Sequence, residues 1–142
     1  MLIRQLALAA VILLSMVLTA CGGARGGAGT PDLNGTQWVL TSLNGSSPVE
    51  GTTITLNFEI RDGESSVGGS AGCNSYGGSY EQDGESLSFG MLFSTMMACE
   101  QPIMDQETGY LGTLETITGF TLEGGQLQMW GESTALVFSP AE

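Results

Sequence analysis

Two periodicities organise the chain. Across residues 53–60 apolar and polar side chains alternate, with Ile54, Leu56, Phe58 and Ile60 on one face and Thr53, Thr55, Asn57 and Glu59 on the other. A period of two predicts a half-buried antiparallel strand, and Arg61-Asp62-Gly63-Glu64 supplies its turn. Residues 36–43 read as an earlier strand closed by an Asn44-Gly45 turn. Strand-like pieces follow at 66–69, 76–81 and 86–89, the last after Asp83-Gly84. Three more, at 120–122, 127–130 and 135–138, are separated by Gly124-Gly125 and Gly131-Glu132. Short strands with Gly-rich turns argue for a sandwich or small barrel.

Residues 102–118 follow the second period. Ile103, Tyr110, Leu111, Leu114 and Ile117 recur at helical spacing. Pro102 is tolerated in a first turn, Asp105 is the expected N-cap, and Glu107 favours a helix start. Gly109 and Gly112 weaken the helix by about 1 kcal/mol each, so it is expected to form only when docked. The expected fold is mainly β: a single antiparallel meander or barrel-like domain with one helix packed across it or plugging one end.

The N-terminal part has a different character. An apolar stretch over residues 6–18 follows Arg4. It falls short of the ~20 residues a membrane-spanning helix needs and suits the h-region of a secretory signal. Leu18-Thr19-Ala20-Cys21 comes next. Small residues leading into a cysteine resemble a bacterial lipobox, which implies cleavage before Cys21 and lipid on its thiol. The competing readings are a plain secretory signal cut after Ala20 and an uncleaved anchor, the latter opposed by the shortness of the run. Residues 22–31, GGARGGAGTP, carry no apolar side chain larger than Ala and read as a flexible tether. The expected organisation is a cleaved lipoprotein signal peptide at 1–20, a lipidated cysteine and tether at 21–31, and a domain at 32–140. Its expected location is the exported side of a bacterial envelope membrane, held by lipid alone.

Charge narrows the partners. Fifteen acids face three bases, with neither Lys nor His, for a net charge of −12. Such a surface repels nucleic acid and anionic headgroups and is expected to keep a small envelope protein soluble and off the bilayer, with attraction of a basic partner or of loosely held cations as the alternative. Cysteine use agrees with export. Cys73 and Cys99 remain beyond the anchor and read as a disulfide. The alternative of a metal or nucleophilic thiol pair lacks a His partner and matches no CxxC spacing.

The inventory for catalysis is poor. Without His or Lys the usual bases for activating Ser or Cys are missing. Carboxylate pairs occur at Asp62 with Glu64 and Asp83 with Glu85, but in turns, where acids are usually solvated. Neither pair matches an EF-hand loop. The stretch 68–78, GGSAGCNSYGG, leads into strand-like sequence, so it is no phosphate-cradling loop, which wants a helix directly after it. No catalytic residue, metal or cofactor is expected.

These residues carry a family resemblance. Leu33-Asn34-Gly35-Thr36-x-Trp38-x-Leu40 comes first, then Phe58 closing the alternating strand. Next is Gly69-x-x-Gly72-Cys73-Asn74-x-Tyr76-x-Gly78-x-Tyr80, followed by Thr95-x-Met97-Ala98-Cys99. Glu107-x-x-Tyr110-Leu111-x-x-Leu114 and a last strand ending Leu136-Val137-Phe138 complete the set. The chain resembles the META domain, the single domain of heat-shock lipoproteins of the HslJ type. The resemblance implies a compact, barrel-like antiparallel β fold with one helix, a bridge from Cys73 to Cys99, envelope localisation and a loose association with envelope stress. It implies no reaction and no cofactor. The extreme acidity and lack of Lys depart from many relatives.

The expected function is a non-enzymatic binding or structural module contacting an envelope protein. Trp38, Asn74, Tyr76, Tyr80 and Trp130 are the candidate contact residues, with core packing as the competing job of the aromatics. One alternative is an inhibitor that plugs an extracellular hydrolase with the acidic loop 82–85. Another is a small-ligand binder whose barrel is lined by Met91, Met96, Met97, Met104 and Met129; a helix plug would leave no such cavity.

Overall fold

The computed structural model describes residues 29–142. The expected signal peptide, the expected lipidation site at Cys21 and the expected tether up to residue 28 lie outside the described residues. Nine strands and one helix follow in chain order: β1 (Gln37–Leu43), β2 (Thr55–Arg61), β3 (Glu64–Ser70), β4 (Ser75–Asp83), β5 (Ser86–Phe89), β6 (Phe93–Ser94), α1 (Gln101–Leu114), β7 (Ile117–Glu123), β8 (Gln126–Gly131) and β9 (Ala135–Pro140). Eight strands pair antiparallel in a ring, β1-β2-β3-β4-β5-β7-β8-β9 and back to β1, so the sheet closes into a barrel. β6 continues the line of β5 along β4 and stands at a sheet edge. The thinnest seam joins β5 to β7, where Ser86 opposes Gly119 and the Phe120 amide donates to the Glu85 carbonyl.

The alternation in β2 works as a register device. Ile54, Leu56 and Phe58 face the interior and are buried, together with Phe120, Phe138 and Leu127 from the far wall. Ile60 lies on the same side of the strand but past the end of the core, beside the β2–β3 turn, and stays 49% exposed. Gly69 shows why β3 carries glycine: its φ is +157°, and a Cβ there would sit 2.2 Å from the Thr55 carbonyl oxygen. A side chain at that point would push β3 off β2.

The helix closes one end of the barrel. Tyr110 and Leu114 are fully buried beneath it. The Tyr76 hydroxyl donates to the Thr55 carbonyl at 2.8 Å and meets the Tyr110 hydroxyl at 2.7 Å. The Tyr110 ring packs edge-on against Tyr76 and Phe138. Gln106 joins the β1–β2 loop, accepting from the Val49 amide and donating to Thr52 Oγ1. Chain direction places the opposite end at the turns after β2, β4 and β7, where Leu33 is buried and the described chain begins.

The helix differs from the sequence expectation at both ends. It starts at Gln101 after an N-cap at Glu100 that makes no side-chain cap bond, with Pro102 in the first turn. Asp105 lies inside the helix and accepts from Gln101 Nε2 at 2.6 Å, so it caps nothing. The helix stops at Leu114, because the β-branched run Thr116-Ile117-Thr118 favours a strand, and the buried Ile117 opens β7.

Burial pushes the phenols of Tyr76 and Tyr110 far above the ordinary value of 10.0; their mutual contact lowers that of Tyr76 somewhat and raises that of Tyr110 further. Phenols held protonated by the fold favour it fully below pH 10.0, and that contribution is lost as pH rises from there toward the folded values. The expected result of a spectrophotometric titration is that these two tyrosines give phenolate absorbance only as the barrel unfolds. Reversible ionisation of both near pH 10.0, with native circular dichroism, would contradict the packing.

Candidate binding surface

A buried polar knot fixes the helix-capped end. The Glu107 carboxylate on α1 accepts the Asn74 amide at 2.6 Å and the Cys73 amide at 3.3 Å on one oxygen. Its other oxygen accepts Asn74 Nδ2 at 2.6 Å. Asn74 Oδ1 accepts the Met97 amide at 2.6 Å and the Thr95 hydroxyl at 2.9 Å, while Nδ2 also donates to the Met97 carbonyl at 3.2 Å. Asn74 and Glu107 are 2% and 6% exposed, and no buried side-chain polar atom among the described residues lacks a partner. Beside the knot, Cys73 and Cys99 form the disulfide, with Cα atoms 6.1 Å apart. Covalent and polar links therefore fasten the same three pieces: the β3–β4 loop, the segment before the helix, and the helix.

Outside the barrel, the β1–β4 wall forms an open groove of about 870 Å³. One cross-strand row runs Gln37, Asn57, Gly68, Gly77, Phe93 in register. Glycines and the neighbouring Ser66 and Ser79 leave the floor low. At one end the Phe93 ring lies over Gly77, where an added Cβ would come within 2.7 Å of the ring. Phe93 nevertheless stays 68% exposed, and Met91 beside it 90%. At the other end Arg61 pairs with Glu59, leaving Asp62 and Glu64 as the unpaired charges. An aromatic ring, amides and acids over a small-residue floor offer shape and contact to a ligand.

The candidate contact residues separate sharply. Trp38, Asn74, Tyr76 and Tyr80 are buried and present no surface to a partner. Trp38 fills the core and donates its indole N–H to Thr36 Oγ1 at 2.7 Å. Tyr80 packs edge-on against Phe58, with centroids 5.0 Å apart, and burial raises its phenol pKa. Asn74 is the hub of the knot. Trp130 alone is accessible, at 39%, and its ring lies across Gly119. Inward-pointing alternation and internal hydrogen bonds remove the other four from the surface. In the acidic loop, Gln82 is spent on structure, accepting the Leu33 amide and donating to the Pro31 carbonyl.

The methionines part in the same way. Met129 is core, whereas Met91, Met96 and Met97 are exposed outside the barrel, so they do not line its interior. Glu107 was legible only as a helix-start acid; its partners come from a loop thirty-three residues away. Among the described residues no group of three or more His, Cys, Asp or Glu is placed to hold a metal.

Every group facing Glu107 is a donor, so Glu107→Gln sets one amide N–H₂ against a donor in either orientation. The expected loss is about 1–3 kcal/mol in urea denaturation, and an unchanged midpoint would contradict the knot. Cys73→Ser and Cys99→Ser should each lose about 3–4 kcal/mol, the loop-closure contribution, and the double variant no more than either alone. Additive losses would show that they do not share one bond.

Comparison with known proteins agrees with this geometry. No curated protein matches the chain. An NMR structure of a protein from Burkholderia xenovorans is similar at a TM-score of 0.63 and 35% identity, covering 77% of this chain and 83% of that one. A second NMR structure shares the fold at a TM-score of 0.61 and 20% identity, covering 75% of this chain and 90% of its own. The META domain model matches residues 31–142. The chain belongs to the META domain family.

Proposed function

We propose that this protein is a non-enzymatic binding module, lipid-anchored through Cys21 on the exported side of a bacterial envelope and linked to envelope stress. The observation that carries the binding reading is where space lies. Buried side chains pack the barrel beneath the helix, and an open groove of about 870 Å³ lies outside it beside exposed Met91 and Phe93. That arrangement favours a partner on the outside over a ligand within. The anchor reading rests on the lipobox-like run ending at Cys21, and among the described residues no helix is long and apolar enough to cross a membrane.

The chain enters the barrel at the end opposite the helix. Pro31 is held there by Gln82 of the β4–β5 hairpin, and that end carries the turn acids Asp62, Glu64, Asp83 and Glu85. An acidic end next to the tether is repelled by anionic headgroups. It stands the domain off the bilayer and leaves the helix-capped end facing the aqueous side.

Cys21→Ser should release the protein from membranes into the aqueous fraction; retention would contradict lipid as the anchor. Crosslinking of the anchored protein in its native envelope should yield one stoichiometric protein partner. Capture of nothing by folded, anchored protein would contradict the module reading.

A further inference from the structure

The segment joining β5 to α1 is unlike the rest of the surface. Residues 90–99, GMLFSTMMAC, hold no acid, base or proline in a chain with fifteen acids. Every residue from Phe93 to Pro102 is exposed. Met96 and Met97 are 96% and 59% exposed, adding to Met91 and Phe93. Exposed edges are ordinarily blunted by shortness, charge or proline; β6 is two residues long but carries neither charge nor proline.

β6 also has a free hydrogen-bonding side. Among the described residues it neighbours β4 alone. The Thr95 amide donates to the Ser75 carbonyl, which makes that pair a hydrogen-bonded one. Antiparallel pairing alternates, so the next pair, Ser94 with Tyr76, is non-hydrogen-bonded. The Ser94 N–H and C=O therefore point away from β4. The knot and the disulfide hold this edge on its C-terminal flank, at Thr95, Met97 and Cys99. The edge is preorganised, so a partner meets a set shape instead of having to order it.

We propose that β6 is a docking edge that takes an extended, basic–apolar peptide segment of a partner protein by strand addition. Backbone groups of Ser94 would pair with the incoming strand. Its apolar side chains would lie beside Met91 and Phe93, and its cations would be drawn by the chain's net charge of −12. A second copy of the chain is disfavoured, because both would carry a net charge of −12. A bilayer is disfavoured by position: β6 pairs with the start of β4, about 20 Å at ~3.3 Å per residue from the β4 end that holds Pro31. The inference rests on the binding-module reading and specifies its mode.

The test uses the full chain and a capped six-residue peptide of alternating lysine and valine. Binding should be at least about tenfold tighter than to the glutamate–valine counterpart at low salt. Methylating the backbone nitrogens on one edge of the peptide should cost about tenfold or more while leaving its side chains intact. Ser94→Pro should do the same with unchanged circular dichroism, since the N–H it removes pairs with nothing in the fold. Equal affinity for the two peptides, or binding indifferent to backbone methylation, would overturn strand addition. Binding lost in Phe93→Ala but kept in Ser94→Pro would also overturn it, while leaving a binding module that uses the groove. Dimerisation of the free chain through β6, or adhesion of the Cys21→Ser chain to phosphatidylcholine vesicles through this patch, would overturn the assigned occupant.

Discussion

The structure depends on one buried carboxylate finding its donors. Glu107 is carried into the barrel end by α1, and it is tolerated there because two backbone amides and the Asn74 side chain converge on it. A buried polar group without partners costs more than a made hydrogen bond returns. The knot is therefore specific: only one placement of helix against loop satisfies Glu107, Asn74 and Met97 together. The helix needs that specificity. It carries Gly109 and Gly112, has no side-chain N-cap, and is a weak helix alone. Apolar burial of Tyr110 and Leu114 supplies the drive to dock, and the knot selects the register.

That fastening leaves the barrel with two unlike ends. At one end Pro31 is held by Gln82 among acidic turns; the other is plugged by the helix and bordered by an uncharged, exposed edge. The same links that seat the helix hold β6 in place, through Thr95, Met97 and the disulfide at Cys99. Rigidity at the knot and exposure at the edge are thus two consequences of one set of contacts. Recognition would be carried by a preorganised sheet edge, with little rearrangement on binding.

Much of the fold was legible because β alternation is a local signal. The run Ile54, Leu56, Phe58 announces its buried face, and Gly-rich turns mark where each strand ends. The disulfide could be read from an even pair of cysteines in a domain expected to be exported. The helix boundaries were less legible, since Ile117 fits the helical stripe as well as it fits a strand, and only packing decides. The contact residues were the least legible. Aromatics look alike in sequence whether they fill a core, as Trp38 and Tyr80 do, or lie on a surface, as Phe93 does. The knot was invisible for a different reason. Its members are spread over Cys73, Asn74, Thr95, Met97 and Glu107, and no spacing rule links a helix acid to a loop amide. The motif G-C-N with M-A-C marked the place, but only three-dimensional contact gives it a physical cause.

Native-state amide hydrogen exchange on the full chain tests the central claim most directly. If the knot welds helix, loop and barrel into one cooperative unit, the Asn74 and Met97 amides exchange only through global unfolding, at the same free energy as core amides in β2 and β9. The Ser94 amide, facing away from β4, exchanges as an open edge. Asn74 and Met97 amides that open together with α1 well below the global free energy, while the barrel core stays closed, would contradict the account.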